Sequence, residues 1–433
     1  MTLNELMRER MGNGMKRFGI FCLPGRGHIY PATALGRELR DRGHRVTVFN
    51  SAITRGLIRD SGLYFQQLGG RSVSASNPRR QLPKHGGGLN TVDVMYKHAT
   101  LILTHGLESL QRETVDALLV DQADLAGGSV ADALGIPFVS VSFFPPVYCH
   151  DANPPFIYGW SPTSKLFGQA RIREANSLFC DLFSPIIDLV NSYRDPWKLP
   201  ELKDLNDTFS TRAIISQMPK AFEFARIHMP DCLHYTGPFE DGAGRRRIQF
   251  PWERLNGLPI VYASMGTVRN SCVSTFQIIA EALARFDVQL VISLGGTGLV
   301  PEDLLPLPGD PIVVHYAPQL NLIAKSAVTI CHGGMNTSLE CVANGVPMIV
   351  IPVSDDQPGV AARIRKLGIG LVIPYRKLSV KRLEEHVRSL LVESKYRVAV
   401  EQMRDDIAKL GGLRLAADIV EKNTAFPCEG ALH

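Results

Sequence analysis

Apolar runs too short for helices alternate along this chain with segments whose apolar positions recur three or four residues apart. Residues 17–23 read as a buried strand. A Pro24-Gly25-Arg26-Gly27 loop follows, and then Ala32, Leu35 and Leu39 mark one helical face that stops at Gly43. Residues 45–49 form the next strand and complete a strand–helix–strand unit of the parallel kind. Residues 117–120, a helix over about 125–134 and a strand over 138–142 repeat the arrangement. Between 143 and 200 the periodicity lapses into a stretch rich in proline and aromatic residues. The stretch 236–250, with Gly237-Pro238, Asp241-Gly242 and the basic run 245–247, has the polarity of a solvated linker. Alternation then resumes: 260–264, 289–294, 312–315, 328–331, 348–351 and 371–373 are strand-like, with helices such as 276–284 and 337–343 between them.

Alternation of this kind makes parallel sheets covered by helices on both faces. The expected fold is therefore α/β, two doubly wound Rossmann-like domains facing each other across a cleft. The expected divisions are a loose extension at 1–15, an N-terminal domain over 16–235, the linker at 236–250 and a C-terminal domain over 251–410. A helix and tail at 411–433 should pack back toward the N-terminal domain. Ligands of open α/β sheets bind beyond the carboxyl ends of the strands, so functional residues should sit just after strands.

Composition changes this picture little. With 433 residues, 45% hydrophobic and 21% charged, the chain is ordinary for a globular protein and long enough to bury two cores. A net charge of +5 is too small to argue for a nucleic-acid partner, yet suits an anionic ligand or a membrane surface. The cysteines are scattered singly with no CxxC pair, so no zinc or dithiol site is expected, and they read as reduced thiols of a cytoplasmic protein. The first residues lack the apolar core of a secretory signal, and no run reaches the ~18 apolar residues of a membrane span.

The densest chemistry lies between His315 and Gln357. Here a strand ends in His332-Gly333-Gly334 and a helix starts at Asn336 or Thr337. Glycines let a ligand approach the backbone, and the helix start offers free N–H groups to a diphosphate. His332 and Asn336 can donate to phosphate oxygens, Glu340 can accept from ribose hydroxyls, and Asp355-Asp356-Gln357 follows the next strand.

This run resembles the donor signature of UDP-dependent small-molecule glycosyltransferases, inverting enzymes of the GT-B fold. The carriers are Pro318-Gln319, His332-Gly-Gly, Asn336-Thr337, Glu340, Gly345-Val346-Pro347, Pro352 and Asp356-Gln357. Within that family the chain is most similar to bacterial zeaxanthin glucosyltransferases, through Val120-Asp121-Gln122, Gly135–Ser142, Pro230-Asp231-Cys232 and 356–364.

The resemblance implies roles residue by residue. His332, Gly334, Asn336 and Thr337 would meet the diphosphate, with Ser264 and Thr267 on a second phosphate-facing loop. Glu340 would anchor the ribose, and Gln319 would lie near ribose and base. Tyr316 stands where many relatives have a tryptophan stacked on uracil. Asp356 and Gln357 would contact the sugar, Gln357 leaning toward glucose. His28, in Gly27-His28-Ile29-Tyr30-Pro31, would be the general base and Asp121 the carboxylate that orients it.

No Asp-x-Asp metal motif occurs, so neither metal nor cofactor is expected. Gly25-x-Gly27 lacks the third glycine and the acidic partner of a dinucleotide loop. Phe143, Phe144 and Tyr148 lead an aromatic stretch running to 167, expected to form an acceptor pocket. The implied partners are a UDP-sugar and an apolar acceptor such as a carotenoid, with a macrolide or phenol as the alternative, and peripheral contact with a membrane. A different nucleotide-sugar, or a non-catalytic binding protein, are the rival readings.

Overall fold

A computed structural model of the chain describes residues 14–69, 87–148, 152–225, 229–245, 248–266, 273–296 and 298–425. It contains two sheets whose paired strands all run parallel. The first is built from β1 (Arg17–Phe21), β2 (Arg45–Asn50), β3 (Tyr64–Gln67), β4 (Ala117–Asp121), β5 (Phe138–Ser142), β6 (Ile214–Ser216) and β7 (Leu233–Tyr235), in the order β3-β2-β1-β4-β5-β6-β7. The second contains β8 (Ile260–Ser264), β9 (Gln289–Ser293), β10 (Ile312–Val314), β11 (Ser326–Cys331), β12 (Met348–Val350) and β13 (Gly370–Val372), in the order β10-β9-β8-β11-β12-β13. Each order reverses beside its domain's first strand, between β1 and β4 and between β8 and β11. Those switch points are where the backbone diverges to leave a crevice.

Alternate residues of each central strand feed the cores on its two sides. Phe18 and Ile20 pack with Ile29, Leu35 and Leu39, whereas Phe21 packs with Ile102 and Val130. In β8, Tyr262 and Val261 divide in the same way. Burial on both faces is why these strands appear as unbroken apolar runs.

The two halves also exchange pieces. The segment after β6 sends Met218 and Phe222 into the core beneath β8 and β11. The last helix, Gly412–Asn423, returns to the first domain, where Ala416, Ala417 and Val420 join Ile20 and Ile29. Arg42 fixes it through Asp418 (2.6 Å) and Glu421 (2.8 Å). A buried ion pair joins the halves near the cleft: Arg363, 2% exposed, donates through Nε to Oε1 of Glu223 at 2.9 Å.

The middle of the chain is more regular than its composition suggests. Helices Leu166–Asp181 and Ser184–Arg194 occupy much of it, and the long helix Gly87–Glu113 packs against the second of them. Cys22, Cys331 and Cys341 are buried free thiols, but Cys180 is disulfide-bonded, which corrects the expectation of reduced thiols. It lies half-buried near the end of its helix rather than inside an apolar strand.

Candidate active site

β1 delivers its chain into the helix Arg26–Asp41, which begins earlier than the sequence pattern suggests and carries Pro31 inside it. Proline has no N–H to return to the carbonyl four residues back. The carbonyl of Gly27 is thereby left free, and Nδ2 of Asn336 in the second domain donates to it at 2.8 Å. His28 sits one residue along, at the switch point between β1 and β4, and Asp121 ends β4. Nδ1 of His28 lies 2.6 Å from Oδ2 of Asp121. The carboxylate is 1% exposed and also accepts from the N–H groups of Leu23 (3.2 Å) and Ala123 (3.0 Å). Burial alone lowers the His28 pKa. The charge and hydrogen bond of Asp121, with Asp356 opposite, more than reverse this and leave it raised. With Nδ1 committed to Asp121, Nε2 is the nitrogen able to take a proton.

Across the cleft, β11 ends in His332-Gly333-Gly334, ahead of the helix Met335–Ala343, whose N-terminus has no side-chain cap. The His332 ring is wedged between Gly266 and Gly334; a Cβ on either would approach within 2.7 Å of Nε2. Burial pushes its pKa down to about 4, against a smaller opposing pull from Asp355, so the imidazole is neutral at pH 7. Its Nδ1 is buried with no hydrogen-bond partner. An orphan polar atom beside an uncapped helix start suits an anion.

Glu340 lies one turn further along that helix. Gln319 Nε2 donates to its Oε2 at 2.6 Å, and Arg245 donates to Oε1 at 2.5 Å. Tyr262, which the motif reading missed, donates its hydroxyl to Gln319 Oε1 at 3.2 Å and so fixes the amide. Ser264 and Thr337 line the same part of the cleft; Thr267 lies outside the described residues. Tyr316 carries the Arg26 guanidinium 4.6 Å above its ring centre.

Two expectations change here. Arg245 is no solvated linker residue: besides Glu340 it pairs with Glu240 and lies over the Tyr30 ring, because the carboxylates around it are sheltered from water. The Asn336 side chain does not face an open phosphate site. Its Oδ1 accepts from Gln217 at 2.8 Å while its amide reaches Gly27, which leaves its backbone N–H for the cleft.

The loop after β12 is held in a costly conformation. Asp355 has φ +59°, and its carboxylate accepts from Thr91 of the first domain (2.5 Å) and from Ser354 (2.6 Å). Asp356 follows; burial and the neighbouring Asp355 push it up to about 7, with His28 pulling the other way. Gln357 Oε1 is pinned by the N–H groups of Val353 (2.8 Å) and Ser354 (3.1 Å), so its amide nitrogen is the end left to offer a ligand. The His28–Asp121 pair on one switch point thus shares a cleft with the orphan His332 nitrogen, the uncapped helix start and Asp356-Gln357 on the other.

Residues 25–148 match the glycosyltransferase family 28 N-terminal domain, and residues 277–412 match the erythromycin biosynthesis protein CIII-like C-terminal domain. The chain is a GT-B glycosyltransferase. The zeaxanthin glucosyltransferase of Pseudescherichia vulneris is 28% identical to it, over 95% of this chain and 98% of the relative. That of Pantoea ananas is also 28% identical, over 94% and 96%. Among solved structures, the glycotransferase of kitacinnamycin superposes with a TM-score of 0.74 at 21% identity, covering 95% of this chain and 99% of that one. The calicheamicin glycosyltransferase CalG4 gives 0.68 at 22% identity, covering 94% and 98%.

In this glycosyltransferase the cleft measures about 2380 Å³ and runs from the His332 loop past His28 into the first domain. Phe143 and Phe144 stand edge-on to the His28 ring, at 6.2 and 6.0 Å. Phe144, Phe156, Phe179 and Phe183 continue the wall as a chain of edge-to-face contacts. Tyr148 is not on the lining, where its neighbour Val147 appears instead. Tyr158 and Trp160 stack on each other at 4.3 Å, away from the cavity, with Arg171 over the indole. Much of the wall comes instead from the helices Gly87–Glu113 and Leu166–Asp181 and the turn after the second, through Met95, Leu101, Phe179 and Leu182. Their helical spacing resembles that of any core face, which is why sequence alone did not single them out.

Proposed function

We propose that this glycosyltransferase moves a hexose, glucose foremost, from a UDP-sugar to a hydroxyl of a lipophilic small molecule, with inversion to a β-glycoside. The observation that carries the reading is the His28–Asp121 pair at one switch point, facing the His332 loop and Asp356-Gln357 at the other, with an apolar cavity behind it. The diphosphate sits on the N-terminus of Met335–Ala343 with His332, and the ribose hydroxyls bond to Glu340 in place of Arg245. The Gln357 amide and Asp356 orient the sugar. As the acceptor oxygen bonds to the anomeric carbon, its proton passes to Nε2 of His28 and Asp121 stabilises the imidazolium. The bond to the leaving oxygen breaks with its electron pair going to UDP, whose charge the helix N-terminus meets.

Relatives named as zeaxanthin glucosyltransferases support a carotenoid-like acceptor. Peripheral contact with a bilayer, the source of such an acceptor, belongs to the same proposal. Leu166 and Phe167, 73% and 91% exposed, follow Lys165 at the start of their helix and offer an apolar tip for it. The deciding experiment offers UDP-glucose, UDP-galactose and dTDP-glucose with carotenoid, flavonoid and macrolide acceptors, reading products by mass. Glucoside formation from UDP-glucose on the apolar acceptors is expected. Transfer only from dTDP-glucose, or only to small polar sugars, would reject the donor or the acceptor part respectively.

Two further outcomes are expected. Glu340→Ala should raise the donor KM far more than it lowers kcat, because a ribose grip serves ground and transition states alike; an unchanged donor KM refutes the ribose role. EDTA should leave the rate unaltered, since His332 and backbone N–H groups carry the diphosphate; a loss restored by magnesium would overturn that.

A further inference from the structure

The cavity contains a second histidine–aspartate pair that transfer at His28 does not use. His98, on the helix Gly87–Glu113, lines the cleft and is 5% exposed. Its Nε2 lies 3.4 Å from Oδ2 of Asp124, itself 3% exposed. Neither atom has a hydrogen-bond partner, which is uncommon for buried polar groups. Asp124 is firmly placed: its Oδ1 accepts from the N–H groups of Ala126 (3.0 Å) and Gly127 (3.1 Å), and its own N–H donates to the Asp121 carbonyl at 2.7 Å. Both pairs therefore depend on the one turn that follows β4. The cavity lining that includes His98 has apolar Met95, Leu101 and Leu125 together with polar Thr100, Thr104, His105 and Gln122.

We propose that His98, backed by Asp124, anchors a second hydroxyl of the acceptor, distinct from the one that receives the sugar. The proposal rests on the acceptor cavity assigned above. Its chemistry follows from the geometry. With Nε2 turned to Asp124, the ring proton belongs on that nitrogen and Nδ1 carries the lone pair. Such a nitrogen is satisfied by an O–H donor, not by a carbonyl or an ether. The site therefore selects acceptors hydroxylated at two separated positions of an apolar body. A buried polar group fixed by a partner, on a wall that is largely apolar, orients a ligand that apolar contact alone would leave free to slide.

The test compares long-chain α,ω-diols with 1-alkanols and ω-methoxy-1-alkanols of equal length, by calorimetric binding and by kcat/KM with UDP-glucose. The wild type should prefer the diol by about 5–10-fold at the length that spans both pairs, as one buried hydrogen bond allows, and should treat the methoxy compound like the alkanol. His98→Leu should abolish the preference while leaving alkanol affinity and donor KM unchanged. His98→Gln, whose amide oxygen can still accept, should retain part of it. No diol preference in the wild type, equal preference for the methoxy compound, or a preference that survives His98→Leu overturns the proposal. Failure of the transferase reading is separate: it removes turnover of every alcohol and leaves the calorimetric comparison intact.

Discussion

His28→Ala should reduce transfer by about 10²–10⁴-fold, the usual cost of losing a general base, while UDP binds as before. The imidazole stands against Phe143 and Phe144, and its hydrogen bond runs to Asp121 of its own domain. Calorimetry with UDP and initial rates with a saturating donor separate the two effects. Transfer within a few-fold of wild type would remove His28 from the mechanism. The pH profile adds a second reading. A base works unprotonated, and the Asp121 charge holds the His28 pKa above its ordinary value near 6.5. Activity should therefore fall as pH drops through a limb displaced upward. Asp121→Asn removes the raising charge and should move that limb down. Asn is the better substitution than Ala because it keeps the shape of the side chain and its one oxygen can still accept from Leu23 or from Ala123, whose N–H groups meet different oxygens of Asp121. In Asp356→Asn the limb should persist, somewhat lowered, which distinguishes His28 from the neighbouring carboxyl as its source.

The largest effect on stability is expected at Arg363. Removing its side chain leaves the Glu223 carboxylate buried without its counter-charge, beside the Phe224 N–H (2.9 Å) and the Tyr235 hydroxyl (3.4 Å). Breaking a buried pair from one side costs about 3–5 kcal/mol. Arg363→Ala also loses the guanidinium packed 4.5 Å over the Phe224 ring. Several degrees of lowered unfolding midpoint should follow in a thermal melt. Arg363→Met combined with Glu223→Leu should recover most of the loss, since two apolar side chains need no counter-charge. A single variant that melts like wild type, or a double variant no better than the singles, would show that water already reaches the pair.

The strands bordering both switch points were legible in the sequence, because burial on two faces writes them as continuous apolar runs. β6 and β7 were not, because three residues such as Ile214-Ile215-Ser216 carry no period. The helices that line the first-domain part of the cleft were hidden for another reason: their helical spacing is that of any core face, and nothing in it marks a cavity. Among the candidate residues, the sequence motifs point to His28, Asp121, His332 and Glu340, which the structure brings to one cleft. What sequence could not give were partnerships between distant segments. Arg245 reads as a linker charge until Glu340 lies beside it, and nothing in the sequence shows that the Gly27 carbonyl, left without a helical partner by Pro31, accepts from Asn336 of the second domain. His98 and Asp124 are unremarkable letters individually; only their meeting gives them chemistry.

The exchange of pieces between the halves constrains anyone recombining this enzyme with a relative to alter its donor or acceptor. A hybrid spliced once at the linker would place one parent's Gly412–Asn423 helix on the other parent's first sheet, where Ala416, Ala417 and Val420 must fit foreign neighbours. It would likewise press one parent's Met218 and Phe222 into the other's second core. Functional hybrids should therefore need extra crossovers, one returning the last helix to its own N-terminal parent and another assigning the 217–225 segment to the parent that supplies Arg363.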